Sequence, residues 1–230
     1  MARALIFDPE LLLLDEPFAA LDSLTRNAIL AELREVAMNR KMTVLLVSHY
    51  FGDVLFFAKR TVFLYNGRII QDDSPENMLR HPANVAVAKL TGMDNIIACR
   101  RVSSGDGPAI RFSNGITFPV TTEILAGEPA FCCLPGDSLY LVNKNLAMNN
   151  PQLVIMAGNV QQVVPGVGMY KVMVETGGLK LIARIARERV AGKVGPGMTI
   201  TLAFNPTEAH FIYRDCSIEG EDYENCSLLV

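Results

Sequence analysis

The run Leu11-Leu12-Leu13-Leu14-Asp15-Glu16-Pro17 constrains the fold of this chain more than any other stretch. Four consecutive aliphatic residues fit a strand buried on both faces, the habit of parallel sheets. Two adjacent carboxylates close it, at the strand end where open α/β sheets place their ligands. Charge buried there is costly unless a metal, a proton or a partner compensates it. The pair lies only fifteen residues from the start of the sequence.

The following segments build a sheet around that strand. Phe18-Ala19-Ala20-Leu21-Asp22-Ser23 reads as a loop into a helix, with Asp22 or Ser23 able to cap the first-turn amides. Residues 24–38 carry Ile29, Leu33 and Val36 on one helical face, with Glu32, Arg34 and Glu35 left for solvent. Thr43-Val44-Leu45-Leu46-Val47-Ser48 is a second buried strand and ends at His49. A short helix is expected over 52–59. Asn66-Gly67 then joins the runs 61–65 and 68–70 as a tight hairpin, because both turn positions need positive φ. Pro75 and Pro82 punctuate a helical region over 76–90.

The pattern changes near Thr91-Gly92-Met93-Asp94-Asn95. Beyond it, short β-rich runs alternate with Gly, Pro and Asn turns, at 96–102, 109–112, 116–120, 130–134 and 139–142. After a polar break at 143–152 they resume at 153–164, 169–175, 179–185, 198–204 and 209–213. Many short strands at regular spacing mean a barrel or sandwich. The expected fold is therefore α/β with a parallel sheet over 1–95, then an all-β barrel or sandwich over 96–214, then an acidic tail over 215–230.

Composition limits the function classes. The 230 residues are half hydrophobic and one-fifth charged, and their net charge of −3 gives no global basic field for nucleic acid. No apolar run reaches the roughly 18 residues of a membrane span, and the N-terminus lacks a signal-peptide core. Cys99, Cys132, Cys133, Cys216 and Cys226 show no zinc spacing, and their odd number suits a reducing compartment. The pair Cys132-Cys133 lies in an apolar run and reads as packing.

Asp15-Glu16-Pro17, Ala19-Ala20-Leu21-Asp22 and Leu45-Leu46-Val47-Ser48-His49 together resemble the Walker B motif, D-loop and switch histidine of ABC-transporter ATPases. Asn66-Gly67-Arg68-Ile69 is similar to that family's closing hairpin, and the resemblance covers residues 1–95. It implies that Asp15 holds Mg²⁺ through water, as this small hard cation keeps part of its hydration shell. Glu16 would act as general base or polarise the attacking water. His49 would hydrogen-bond the γ-phosphate of ATP, and Asp22 would couple two nucleotide sites across a homodimer, besides capping its helix. Tyr50 departs from the pattern, since the family usually has an acid there.

ATP binding also needs a loop of the form Gly-x-x-x-x-Gly-Lys-Ser/Thr. The one Gly-Lys pair, Gly192-Lys193, precedes Val194 within the β-rich region and is no such loop. The resemblance thus implies the back half of an ATPase domain. It leads us to expect an exposed sheet edge and apolar face within residues 1–95.

Residues 96–214 resemble the transport-associated OB-type regulatory domain of importer ATPases, dimerising or regulatory in kind. Leu134-Pro135-Gly136-Asp137 stands where many relatives carry an Arg-Pro-Glu-Asp-like turn. The order after Asn95-Ile96-Ile97 looks most like molybdate or tungstate importers, with ferric-iron, sulfate and polyamine relatives close to it. The implied function is an ATP-hydrolysing importer subunit, cytoplasmic, beneath membrane permease subunits and without nucleic-acid partners. The alternative is a non-catalytic regulatory, dimerisation or oxyanion-sensing module. Gly166–Gly168 and Lys193–Gly197 are the turns whose amides could meet an anion.

Overall fold

A computed structural model of the chain describes residues 5–104, 107–120, 127–142 and 152–213. The acidic tail, Cys216, Cys226 and most of the polar break lie outside the described residues. The chain divides into two units, Met1–Met78 and Leu79–Val230. That division lies upstream of the change of pattern near residue 95, because the helix Val85–Leu90 seats Val85 and Ala88 against Cys133 and Ile212.

In the first unit, β1 (Leu11–Asp15) pairs in parallel with β2 (Thr43–Val47), with Leu13 opposite Leu45 and Asp15 opposite Val47. Helix α1 (Ser23–Asn39) crosses between them. Asp22 caps it, its Oδ1 accepting from the amides of Leu24 at 3.0 Å and Thr25 at 3.1 Å. Beyond its C-cap Arg40, Lys41 has a φ of +53° and turns the chain left-handed. The Met42 amide then reaches back to the Ala37 carbonyl at 2.9 Å, satisfying an orphan carbonyl of the last turn.

Leu30 and Leu33 of α1 pack on Leu12 and Leu14 of β1, with Phe18 and Met42 closing the cluster. Each such side chain contributes about 1.5–3 kcal/mol on burial. Burial on both faces of β1 is not what forms. Leu12 and Leu14 are buried, but Leu11 and Leu13 are 53% and 65% exposed, and Leu45 and Val47 of β2 are 60% and 53% exposed. The single helix α1 covers one face, and no described residue of this unit covers the other. The exposed apolar face expected from the resemblance is therefore present.

Helix α2 (Phe51–Phe57) follows, then the hairpin of β3 (Thr61–Tyr65) and β4 (Arg68–Asp73). Asn66 and Gly67 have φ of +48° and +74°, as its two-residue turn requires. The helical region expected over 76–90 splits into α3 (Pro75–Arg80) and α4 (Val85–Leu90), with Pro82 between them and Asn84 capping the second.

All ten β-rich runs form strands. β5 (Asn95–Ser104), β6 (Gly107–Phe112), β7 (Thr117–Pro119), β8 (Pro129–Leu134) and β14 (His210–Tyr213) make one antiparallel sheet, in the order β14-β8-β5-β6-β7. β9 (Tyr140–Leu141), β10 (Val154–Pro165), β11 (Met169–Thr176), β12 (Leu179–Ala186) and β13 (Thr199–Phe204) make the other, in the order β12-β11-β10-β13-β9. A helical turn, α5 (Arg187–Val190), follows β12 and is not evident in the sequence.

The two sheets share one core. Phe118 of the first meets Phe112 at 5.0 Å and Phe204 of the second at 5.4 Å, both edge-on. β10 alternates strictly from Val154 to Val160, its buried positions facing that core. An α/β unit with a parallel strand pair, followed by an all-β barrel-like unit, is the architecture the sequence predicts. No helix of the described residues is long and apolar enough to cross a membrane.

Candidate functional site

The candidate site lies where β1 and β2 end side by side. Parallel pairing brings Asp15 level with Val47, so the residues that follow each strand emerge together. Glu16 leaves β1 with φ of +43°, a left-handed conformation uncommon for a side chain other than glycine. Its amide donates to the Val47 carbonyl at 3.0 Å, prolonging the parallel ladder by one bond.

The turn aims the Glu16 carboxylate at the end of β2. One oxygen, Oε1, accepts from the His49 backbone amide at 2.9 Å and lies 2.7 Å from His49 Nδ1. An ionised carboxylate only accepts, so the ring donates from Nδ1 and leaves Nε2 for another partner. The His49 side chain is 70% exposed and that of Glu16 35%, so the pair is reachable from solvent. At such exposure an ion pair contributes at most about 1 kcal/mol to stability. What this pair supplies is orientation, a carboxylate beside an imidazole held in one tautomer.

Asp15 is exposed at the end of β1, and its carboxylate makes no bond among the described residues. Asp22 is occupied as the α1 cap. Hydrogen bonding from the Thr25 side chain, then from backbone amides, holds its carboxyl below the usual aspartate range. Glu16 and His49 are thus brought together, Asp15 adjoins Glu16 along the chain, and Asp22 serves the helix.

Sequence reasoning does not find the residues behind the pair. Arg26, in the first turn of α1, donates from Nη2 to the Phe18 carbonyl at 3.2 Å and lies over the Tyr50 ring, 4.6 Å from its centroid. Its Nη1 stands 4.0 Å from Asp53, a carboxylate with a side chain only 4% exposed. Ser48 Oγ donates to Asp53 at 3.4 Å and accepts from the Tyr50 amide at 3.1 Å. One signal was available: a cation in the first turn of a helix opposes the helix dipole and asks for a local reason.

The glycine turns considered for an anion have other duties. The Gly166 amide donates to Met169, those of Lys193 and Val194 to Val190, and that of Gly197 to Val160. Lys193 Nζ donates to the Glu188 carbonyl at 3.1 Å. His210, partly buried, has Nε2 3.0 Å from the Pro82 carbonyl.

No protein-family model matches the chain. Over 152 residues it is 30% identical to the Fe(3+) ions import ATP-binding protein FbpC of Brucella abortus (strain 2308), covering 66% of this chain and 41% of that protein. Over 210 residues it is 28% identical to the spermidine/putrescine import ATP-binding protein PotA of Nitratidesulfovibrio vulgaris, covering 89% and 56%. Over 105 residues it is 38% identical to the glucose import ATP-binding protein GlcV of Saccharolobus solfataricus, covering 46% and 30%. The chain spans about half the length, or less, of these relatives. Among solved structures, the cytoplasmic molybdate-binding protein ModG, with molybdate bound, matches 54% of this chain and 98% of its own. Its TM-score is 0.47 at 16% identity. An inward-facing putative metal-chelate type ABC transporter matches 54% of this chain and 45% of its own, with TM-score 0.35 at 22% identity.

Proposed function

This chain is a partial homologue of the ATP-binding subunits of ABC importers, and from that premise we propose that it serves ATP hydrolysis energising solute uptake. The observation that carries the reading is the single Glu16 oxygen held by both the amide and the ring of His49, beside the exposed Asp15. Glu16 orients or deprotonates the attacking water, and His49, its Nδ1 committed to Glu16, offers Nε2 toward the phosphate. Asp22 links this site to the one on a second copy.

The donor set fits magnesium. Among the described residues no three acids, histidines or cysteines gather into a cage, and Asp15 offers one uncommitted carboxylate. Mg²⁺ bound alongside nucleotide phosphate takes one or two carboxylates and keeps several waters. When bound, the ion would neutralise charge developing on the phosphate.

The 230 residues contain no Gly-x-x-x-x-Gly-Lys-Ser/Thr loop, so the chain by itself binds ATP negligibly. Isothermal calorimetry checks this, and a submicromolar affinity would overturn it. The transporting assembly is a homodimer docked on membrane permease subunits at the cytoplasmic face, with residues 1–95 as its ATPase part and 96–214 as its regulatory part. The solute proposed is a small oxyanion of the molybdate or tungstate kind, on the resemblance of the sequence after Asn95-Ile96-Ile97 to importers of that kind. Ferric iron, a polyamine or a sugar are the competing outcomes. Uptake of each is measured in cells that supply a Gly-x-x-x-x-Gly-Lys-Ser/Thr segment together with the chain, native or Glu16→Gln. Loss of ATP-driven uptake of one solute at unchanged protein level supports the reading, and retention of every uptake overturns it.

A further inference from the structure

We propose that Arg26 is the positioning residue that sets the Glu16–His49 pair, by clamping the segment after Glu16 to the segment around His49. The inference rests on the functional reading of that pair. Among the described residues, the Arg26 side chain touches both segments. Its Nη2 holds the Phe18 carbonyl two residues past Glu16, and its guanidinium stacks on Tyr50, the residue after His49. Its Nη1 approaches Asp53, which in turn takes the Ser48 hydroxyl just before His49.

Burial decides where the geometry is set. The Glu16–His49 contact lies at the surface, and exposed ion pairs are too weak to order two loops. Beneath it, Phe18 and Asp53 are buried at 2% and 3%, and the Arg26 side chain is 18% exposed. Arg26 Nε is buried and, among the described residues, has no hydrogen-bond partner. Such a buried group calls for a structural reason, and the contacts of its two other nitrogens with Phe18 and Asp53 and of its plane with Tyr50 supply one. A planar fork that bonds a carbonyl while stacking on a ring is a use lysine does not reproduce. Tyr50, the departure from the family's usual acid, thereby acquires a role: its ring is the floor under Arg26.

The test reads the imidazole directly and needs no nucleotide. The chain has three histidines, so ¹⁵N-histidine labelling gives three assignable rings. In the native chain at pH 8, His49 shows the Nδ1–H tautomer, and Glu16→Ala, which removes the acceptor, loses it. Arg26→Ala and Arg26→Lys convert His49 to the Nε2–H form that free histidine prefers, while His81 and His210 keep their resonances as a folding control. Tyr50→Phe retains the Nδ1–H tautomer and Tyr50→Leu loses it. Retention of that tautomer in Arg26→Ala overturns the clamp. If Arg26→Ala does not fold, Tyr50→Leu decides on the same criterion. A clamp confirmed by the ring signals, with uptake unaffected in Glu16→Gln cells, would reject the ATPase reading and leave the clamp standing.

Discussion

Asn95 and Ile182, 87 residues apart, exchange two hydrogen bonds: the Ile182 amide donates to Asn95 Oδ1 at 2.7 Å, and Asn95 Nδ2 donates to the Ile182 carbonyl at 2.9 Å. The same Nδ2 donates to the Leu134 carbonyl at 2.9 Å, so one buried amide staples β5, β8 and β12. Asn95→Ala leaves three backbone groups without this partner, and each orphaned buried group costs about 1–3 kcal/mol. With partial relaxation the expected loss is roughly 2–4 kcal/mol, read as a lower urea midpoint at unchanged slope. A loss below about 1 kcal/mol would show that water or the strand ladder replaces the staple.

Gly136 is required where the preceding residue pair meets a buried charge. Asp94, with a side chain 5% exposed, accepts from Arg184 Nε at 2.8 Å and from the Gly136 amide at 3.1 Å, with Lys171 Nζ at 3.4 Å. A Cβ on Gly136 would stand 2.8 Å from Asp94 Oδ2 and 3.0 Å from both Arg184 Cγ and the Ile182 carbonyl oxygen. The carboxylate could rotate away only by giving up its partners, and the carbonyl belongs to the stapled strand. Gly136→Ala is therefore expected to cost about 1–3 kcal/mol, as overpacking does. Thermal unfolding checks it, and a variant as stable as the native chain would remove the steric account.

The paired residues Leu13 and Leu45 place two large side chains together on the uncovered face of the parallel strands, with Leu11 and Val47 beside them. Such a patch promotes association. Leu13→Lys combined with Leu45→Lys should abolish hydrophobic-dye binding and shift the sedimentation profile toward monomer. Stability should change by no more than about 0.5 kcal/mol per site, because neither side chain packs against the unit's own core. Unchanged dye binding would locate the sticky surface elsewhere.

Elements with local causes were legible in the sequence. The ten β runs, the Asn66-Gly67 turn and the Asp22 cap each follow from residues within a few positions of one another. Glu16 and His49 were each singled out by the family resemblance, and their contact follows because parallel pairing of two consecutive strands leaves their ends adjacent. The rest depends on tertiary company. Just past α1, Lys41 makes the left-handed turn where glycine would be the signal. The uncovered face of β1 cannot be told from a covered one, since four leucines read alike on either side. Arg26 and Asp53 meet only after α2 folds back on α1, and Asn95 finds Ile182 only when the two sheets close.

His210 gives the second unit a pH-dependent margin. Burial pushes its imidazole below the ordinary histidine range, His81 edge-on at 5.2 Å adds to this, and the Pro82 carbonyl opposes it without reversing the direction. The neutral ring, donating from Nε2 to Pro82, is the form the fold prefers. A folded value below the unfolded one means the contribution is complete above the unfolded value of about 6.5, and is lost as pH falls from there through the folded value. The depressed carboxyl of Asp22 has the same sign but acts in the ordinary aspartate range and below, so the two windows are separate. The urea midpoint should therefore fall between pH 7.5 and 5.5. His210→Gln, which can still donate to the Pro82 carbonyl but does not titrate, should flatten that interval. An equal fall in the variant would assign the dependence to other groups.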